Sequence, residues 1–99
     1  KTEMITFKDL VFKKTFGNQI NATHVFDNDW EISVAAGKMP YSTPREDLGD
    51  PELFSSFEIA IINPNGDFAT REVLQIDDDV VGWIGRGDID NIIEMIISQ

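Results

Sequence analysis

Between Gln19 and Ala36 apolar and polar residues alternate with a period of two, and the alternation breaks only once, at Asp27–Asn28–Asp29. Ile20, Ala22, His24 and Phe26 alternate with Gln19, Asn21, Thr23 and Val25. Beyond the break, Trp30, Ile32, Val34 and Ala36 alternate with Glu31, Ser33 and Ala35. A period of two places every second side chain on one face of an extended strand, and three consecutive Asx residues favour a turn. The two runs therefore predict a β-hairpin. A hairpin alone is marginal in water, so the rest of the chain must supply further strands and a covering layer.

Residues 4–13 also alternate, with Ile5 and Phe7 against Thr6 and Lys8, then change phase at Asp9 so that Leu10 and Phe12 join Lys8. This pattern predicts a bulged strand or two short strand pieces, followed by a turn at Phe16–Gly17–Asn18. From 37 to 55 periodicity disappears, and Pro40, Pro44, Gly49 and Pro51 punctuate a long loop. Loops of this length in a small domain are often functional. Within it, Asp50 is suited to cap a helical turn with Pro51 at its first position.

Strand character returns at 56–63, where the apolar Ala60 and Ile62 suggest packing on both faces. Asn63–Pro64–Asn65–Gly66 is a turn signal leading to an expected return strand over 67–76. Asp77–Asp78–Asp79 is a second break, and Val80–Ile84 reads as a short strand. The period then changes: Ile89, Ile92, Ile93 and Ile96 stand at helical spacing after Gly85, with acidic residues on the other face. The expected architecture is α+β, an antiparallel sheet of five to six strands with one C-terminal amphipathic helix packed on it, in a single domain over residues 1–99.

Eighteen Asp and Glu against eight Lys and Arg give a net charge of −10. Residues 1–14 carry a net +2 through Lys1, Lys8, Lys13 and Lys14, so the remainder carries −12. Such a charge opposes direct binding to nucleic acid and to anionic membrane surfaces. The absence of cysteine excludes disulfides, thiol nucleophiles and cysteine-ligated metals. Apolar runs are four residues or fewer and the start Lys1–Thr2–Glu3 does not resemble a signal peptide, so a cytoplasmic, membrane-free protein is expected.

Catalytic motifs are lacking. His24 is the only histidine and falls in register with a core face, where a hydrogen-bonded structural role is the ordinary one. There is no Gly-x-Ser-x-Gly, no histidine pair and no glycine-rich phosphate loop. Neither Asx cluster continues into a calcium-binding loop, so no metal or other cofactor is expected. Arg86–Gly87–Asp88 and the Asn21–Ala22–Thr23 sequon carry no weight in such a chain. A ligand cup around His24, Trp30 and Trp83 has aromatic content alone in its favour.

The acidic groups are clumped: Asp27, Asp29 and Glu31; Glu46, Asp47, Asp50 and Glu52; Asp77, Asp78 and Asp79; and Asp88, Asp90 and Glu94. Area scaling gives an 11.2 kDa domain a surface of roughly 5,700 Å², on which such clumps would form patches rather than an even spread. Tyr41, Arg45, Leu53 and Phe54 in the long loop are of the types that anchor interfaces, while Leu53 and Phe54 also suit closing the end of the core, Phe54 above all.

The run Met39–Pro40–Tyr41–Ser42–Thr43–Pro44–Arg45–Glu46, then Phe57–Glu58–Ile59–Ala60–Ile61, then Asp79–Val80–Val81–Gly82–Trp83 before an acidic helix resembles small, acidic proteins of bacteriophages and prophages over residues 39–97. That resemblance implies a context in which cysteine-free inhibitors of host defence, anti-CRISPR and anti-restriction proteins among them, occupy the basic groove of a nuclease. The expectation is a non-enzymatic inhibitor that binds a basic surface of a host nucleic-acid-handling protein, with mimicry of nucleic acid as one route to it. Its contact residues would be Tyr41, Arg45, Glu46, Asp47, Asp50, Glu52, Phe54 and Asp77 to Asp79. The alternative is a phage accessory module acting as a homodimer through a strand edge or the Ile-rich helix.

Overall fold

The computed structural model describes residues 3–99, so Lys1, counted above with the basic segment, and Thr2 lie outside the described residues. Five strands form one antiparallel sheet in chain order: β1 (Lys13–Lys14), β2 (Ile20–Val25), β3 (Glu31–Ala36), β4 (Phe57–Ile62) and β5 (Val81–Ile84). The fold is α+β, with the C-terminal helix α2 (Arg86–Ile97) packed on the sheet.

The alternating runs form the β2–β3 hairpin, with Ile20 opposite Ala36 and Val25 opposite Glu31. Phe26 N–H donates to the Trp30 carbonyl at 2.7 Å across the turn, and Asp29 takes a left-handed φ of 70°. Asx residues tolerate that conformation better than most. Ile20, Ala22, Ile32, Val34, Phe57, Ile59 and Ile61 are buried together with Ile89, Ile92, Ile93 and Ile96 of α2. The Asn28 amide of the hairpin turn donates to the Ile96 carbonyl at 2.9 Å, satisfying one of the carbonyls left open at a helix end.

Two segments depart from the strands expected of them. In residues 4–13 the Thr6 N–H and hydroxyl both donate to Asp9 Oδ2 (2.9 and 3.2 Å), folding Phe7–Asp9 into a 3-10 turn. Phe7 and Leu10, three residues apart, are thereby buried together, and strand pairing starts only at β1. In residues 67–76 the expected return strand is reduced to one bridge, Ile62 with Phe68, followed by the helix α1 (Thr70–Leu74). Ala69, Thr70, Val73 and Leu74 follow helical spacing and turn toward the core, and Arg71 and Glu72 are good helix formers. The buried Thr70 Oγ1 accepts the Ile61 N–H at 2.9 Å, so α1 continues the edge of β4 where β5 no longer reaches.

The loop over 37–55 is irregular but pinned. The buried Ser42 Oγ accepts the Gly37 N–H (3.1 Å) and lies 2.9 Å from the Pro44 carbonyl. Asp50 caps the 3-10 turn Pro51–Leu53 by accepting the Glu52 N–H at 2.9 Å, with Pro51 at its first position. Arg86 donates to the Pro51 carbonyl at 2.8 Å, and its guanidinium lies over the rings of Phe7 and Phe57. No helix among the described residues is long and apolar enough to cross a membrane.

Candidate interaction surface

The residues expected to meet a partner separate into three groups. Phe54 is 2% exposed and packs 6.1 Å from the Phe57 ring centroid, so it is a core residue and its assignment as a contact is corrected. Its neighbour Leu53 points outward, 56% exposed. The 3-10 turn ends at Leu53 and Phe54 leaves it in an extended conformation (φ −113°, ψ 142°), so their side chains part and the apolar Phe57 end of β4 receives the aromatic one.

Three carboxylates are engaged in local structure. Asp47 Oδ1 accepts the Lys38 N–H at 2.7 Å and lies 2.8 Å from where a Gly37 Cβ would stand. Asp50 is the cap described above. Asp79 Oδ1 accepts from Arg71 Nε at 3.1 Å, with Asp77 3.8 Å from the same guanidinium. Glu46 and Glu52 are exposed, as are Asp77 and Asp78, and Asp78 accepts only the Asp79 N–H beside it.

These groups do not form one ridge. The long loop adjoins the start of β2 and β4, whereas Asp27 and Asp29 lie at the far end of the same six-residue strands. At ~3.3 Å per residue the two clumps are about 17 Å apart. The Asp77 to Asp79 triplet sits beside α1, ahead of β5. Lys14 of the basic segment lies across the acidic loop, with Cε 3.0 Å from where a Gly49 Cβ would stand. Among the described residues, the Lys or Arg ion pairs with carboxylates are those of Arg71, so most of the negative charge has no cationic partner.

Tyr41 and Arg45 are brought together, with a partner that sequence reasoning did not assign to them. The Arg45 guanidinium carbon stands 4.9 Å over the Tyr41 ring, and Tyr41 stacks on Trp83 of β5 with centroids 5.0 Å apart and planes at 29°. Gly82 permits this approach: a Cβ there would lie 2.4 Å from Tyr41 Cβ. The signal available in the sequence was a glycine directly before an aromatic in a four-residue strand.

His24 Nε2 lies 2.9 Å from Glu3 Oε2, and Glu3 Oε1 accepts the Asp27 N–H at 2.8 Å. That backbone hydrogen bond, aided by the His24 contact, holds the Glu3 carboxyl below its ordinary pKa. The ligand cup drawn around His24, Trp30 and Trp83 does not exist, because β2 and β5 are three strand spacings apart, ~14 Å. A cavity of about 660 Å³ instead lies between the N-terminal segment and the end of α2, lined by Ile5, Thr6, Glu94 and Ile97 among others. Among the described residues no three His, Asp or Glu side chains converge as metal ligands. Of the α2 isoleucines that suggest a dimer seam, Ile89, Ile92, Ile93 and Ile96 are buried in the core and Ile97 is half-buried, while Met95 is exposed.

No family model, curated protein or solved structure matches this chain.

Proposed function

We propose that the chain is a non-enzymatic inhibitor that occupies a basic, nucleic-acid-binding surface of a host protein, in the manner of anti-CRISPR or anti-restriction proteins. The observation that supports this reading is the surplus of exposed carboxylates without cationic partners, Glu46 and Glu52 of the pinned loop foremost. Unpaired charge on a rigid surface steers a cationic partner and costs nothing in broken ion pairs on contact. Since the clumps lie at separate ends of the sheet, contact falls on the loop end, where Tyr41 and Arg45 supply aromatic and guanidinium anchors beside Glu46.

The test is displacement of a fluorescent DNA duplex from a purified CRISPR effector or restriction nuclease. Displacement at low salt that is lost at high salt, and weakened by Glu46→Gln with Glu52→Gln, is expected. Failure to displace at low salt, or indifference to both substitutions, refutes the reading. These two carboxylates are chosen because neither caps a turn nor holds the loop, so neutralising them leaves the fold intact.

A further inference from the structure

Tyr41 is fixed at the surface through both backbone and ring. Its carbonyl accepts the Trp83 N–H at 2.9 Å, and its own N–H donates to Glu58 Oε1 at 3.3 Å. Arg45 and Trp83 each stand about 5 Å from the ring centroid. Arg45 and Trp83 thus both bear on the Tyr41 phenol ring. Arg45 is held in turn by the Met39 carbonyl, 3.0 Å from its Nη2. Trp83 stacks on Tyr41 and is nevertheless 59% exposed, so much of its indole is open to solvent.

Trp83 also has a φ of 56°, a left-handed conformation that L side chains rarely adopt. Glycine or asparagine would sit there with less strain, yet the position carries the largest side chain available. Strain of this kind is retained where the surrounding structure holds a group for use. A large aromatic that is exposed, strained and fixed on one face has the properties of a preorganised anchor.

We propose that the open face of Trp83 seats an arginine side chain of a basic partner protein. A guanidinium is planar, stacks on indole and is weakly hydrated, and the chain already makes that contact once, Arg45 on Tyr41. The −10 charge of the chain and the Glu58 carboxylate beside Tyr41 favour a cation over Trp83. The base of a nucleotide stacks on indole as well, but the phosphates of its strand would enter the same negative field. The inference rests on the reading of a basic partner given above and names what its anchor would hold.

Titration of the full chain with hexa-arginine and hexa-lysine peptides at low salt, read by affinity and by the Trp83 indole N–H resonance, tests it. Trp83→Gly and Trp83→Asn remove the ring while relieving the left-handed backbone, which offsets part of the lost stacking on Tyr41, so both variants should stay folded at the assay temperature. Hexa-arginine should bind either variant about two- to fivefold more weakly, with a smaller loss for hexa-lysine. Unchanged hexa-arginine affinity, or an indole resonance that does not move at saturation, overturns the proposal. If Glu46→Gln with Glu52→Gln weakens both peptides while Trp83→Gly does not, the stack is refuted and the charge reading stands. If the ring variants weaken binding and the neutralised variant does not, the stack stands and the charge reading falls. No binding of either peptide refutes both.

Discussion

The carbonyl of Tyr41 accepts the backbone N–H of Trp83 at 2.9 Å while their rings stack 5.0 Å apart, so the long loop and the edge strand are joined through backbone and side chain together. Gly82 sits inside this joint. A methyl group there would meet Tyr41 Cβ, an atom without the freedom of a side-chain tip, at 2.4 Å. Gly82→Ala should therefore cost about 1–3 kcal/mol in urea unfolding and quench the Tyr41–Trp83 contact. Gly87→Ala, in open space on the first turn of α2, should instead gain about 0.4–1 kcal/mol. Equal stabilities for the two variants would show that the joint is not tight.

Thr70 offers a second test, on a hydrogen bond rather than on space. Its side chain is fully buried and accepts the Ile61 N–H at 2.9 Å, holding α1 to the edge of β4. Thr70→Val keeps the volume but leaves that N–H buried without an acceptor, a loss of about 1–3 kcal/mol. Thr70→Ser retains the acceptor and should cost less. Amide exchange at Ile61 should accelerate in the valine variant ahead of the rest of β4, and unchanged exchange there would count against the role assigned to Thr70.

The hairpin and α2 were legible because each buries one face against a single neighbour, so periodicity reports burial directly. Ile20 to Ala36 could take only one register without turning Ile32 and Val34 to solvent. The 4–13 and 67–76 segments depart from their alternation for the opposite reason: side-chain hydrogen bonds decide them. Thr6 with Asp9 closes a turn that alternation cannot reveal, and Thr70 replaces a strand's ladder with one hydroxyl. At the interaction surface the acidic groups and Tyr41 with Arg45 could be named from the sequence. Trp83 could not be joined to them, since that contact depends on the path of a loop without periodicity and on the space that Gly82 leaves.

Phe54 and Leu53 are adjacent in sequence and opposite in environment, 2% and 56% exposed. Phe54→Ala removes a ring packed among Phe57 and its neighbours, and should cost about 3–5 kcal/mol. Leu53→Ala should change stability by no more than about 0.5 kcal/mol. Thermal and urea melts of the pair separate core from surface. A mild Phe54→Ala variant would return that residue to the candidate contacts.

Glu3 ties the N-terminal segment to the hairpin turn, accepting the Asp27 N–H through one oxygen and meeting His24 Nε2 through the other, with its side chain 16% exposed. The Asp27 N–H first, and His24 second, hold its carboxyl below the ordinary pKa. Asp9 is lowered as well, chiefly by the Thr6 N–H. A carboxyl lowered in the folded state binds protons more weakly there than in the unfolded chain. Its stabilisation is complete above the unfolded value, roughly 4.3 for a glutamate, and is lost as pH falls through the folded value. Wild-type protein should thus melt above Glu3→Gln at neutral pH, and the margin should close as pH falls below the ordinary glutamate value and through the lowered folded one. A margin that persists after the carboxyl is protonated would place the effect of Glu3 in packing rather than in its charge.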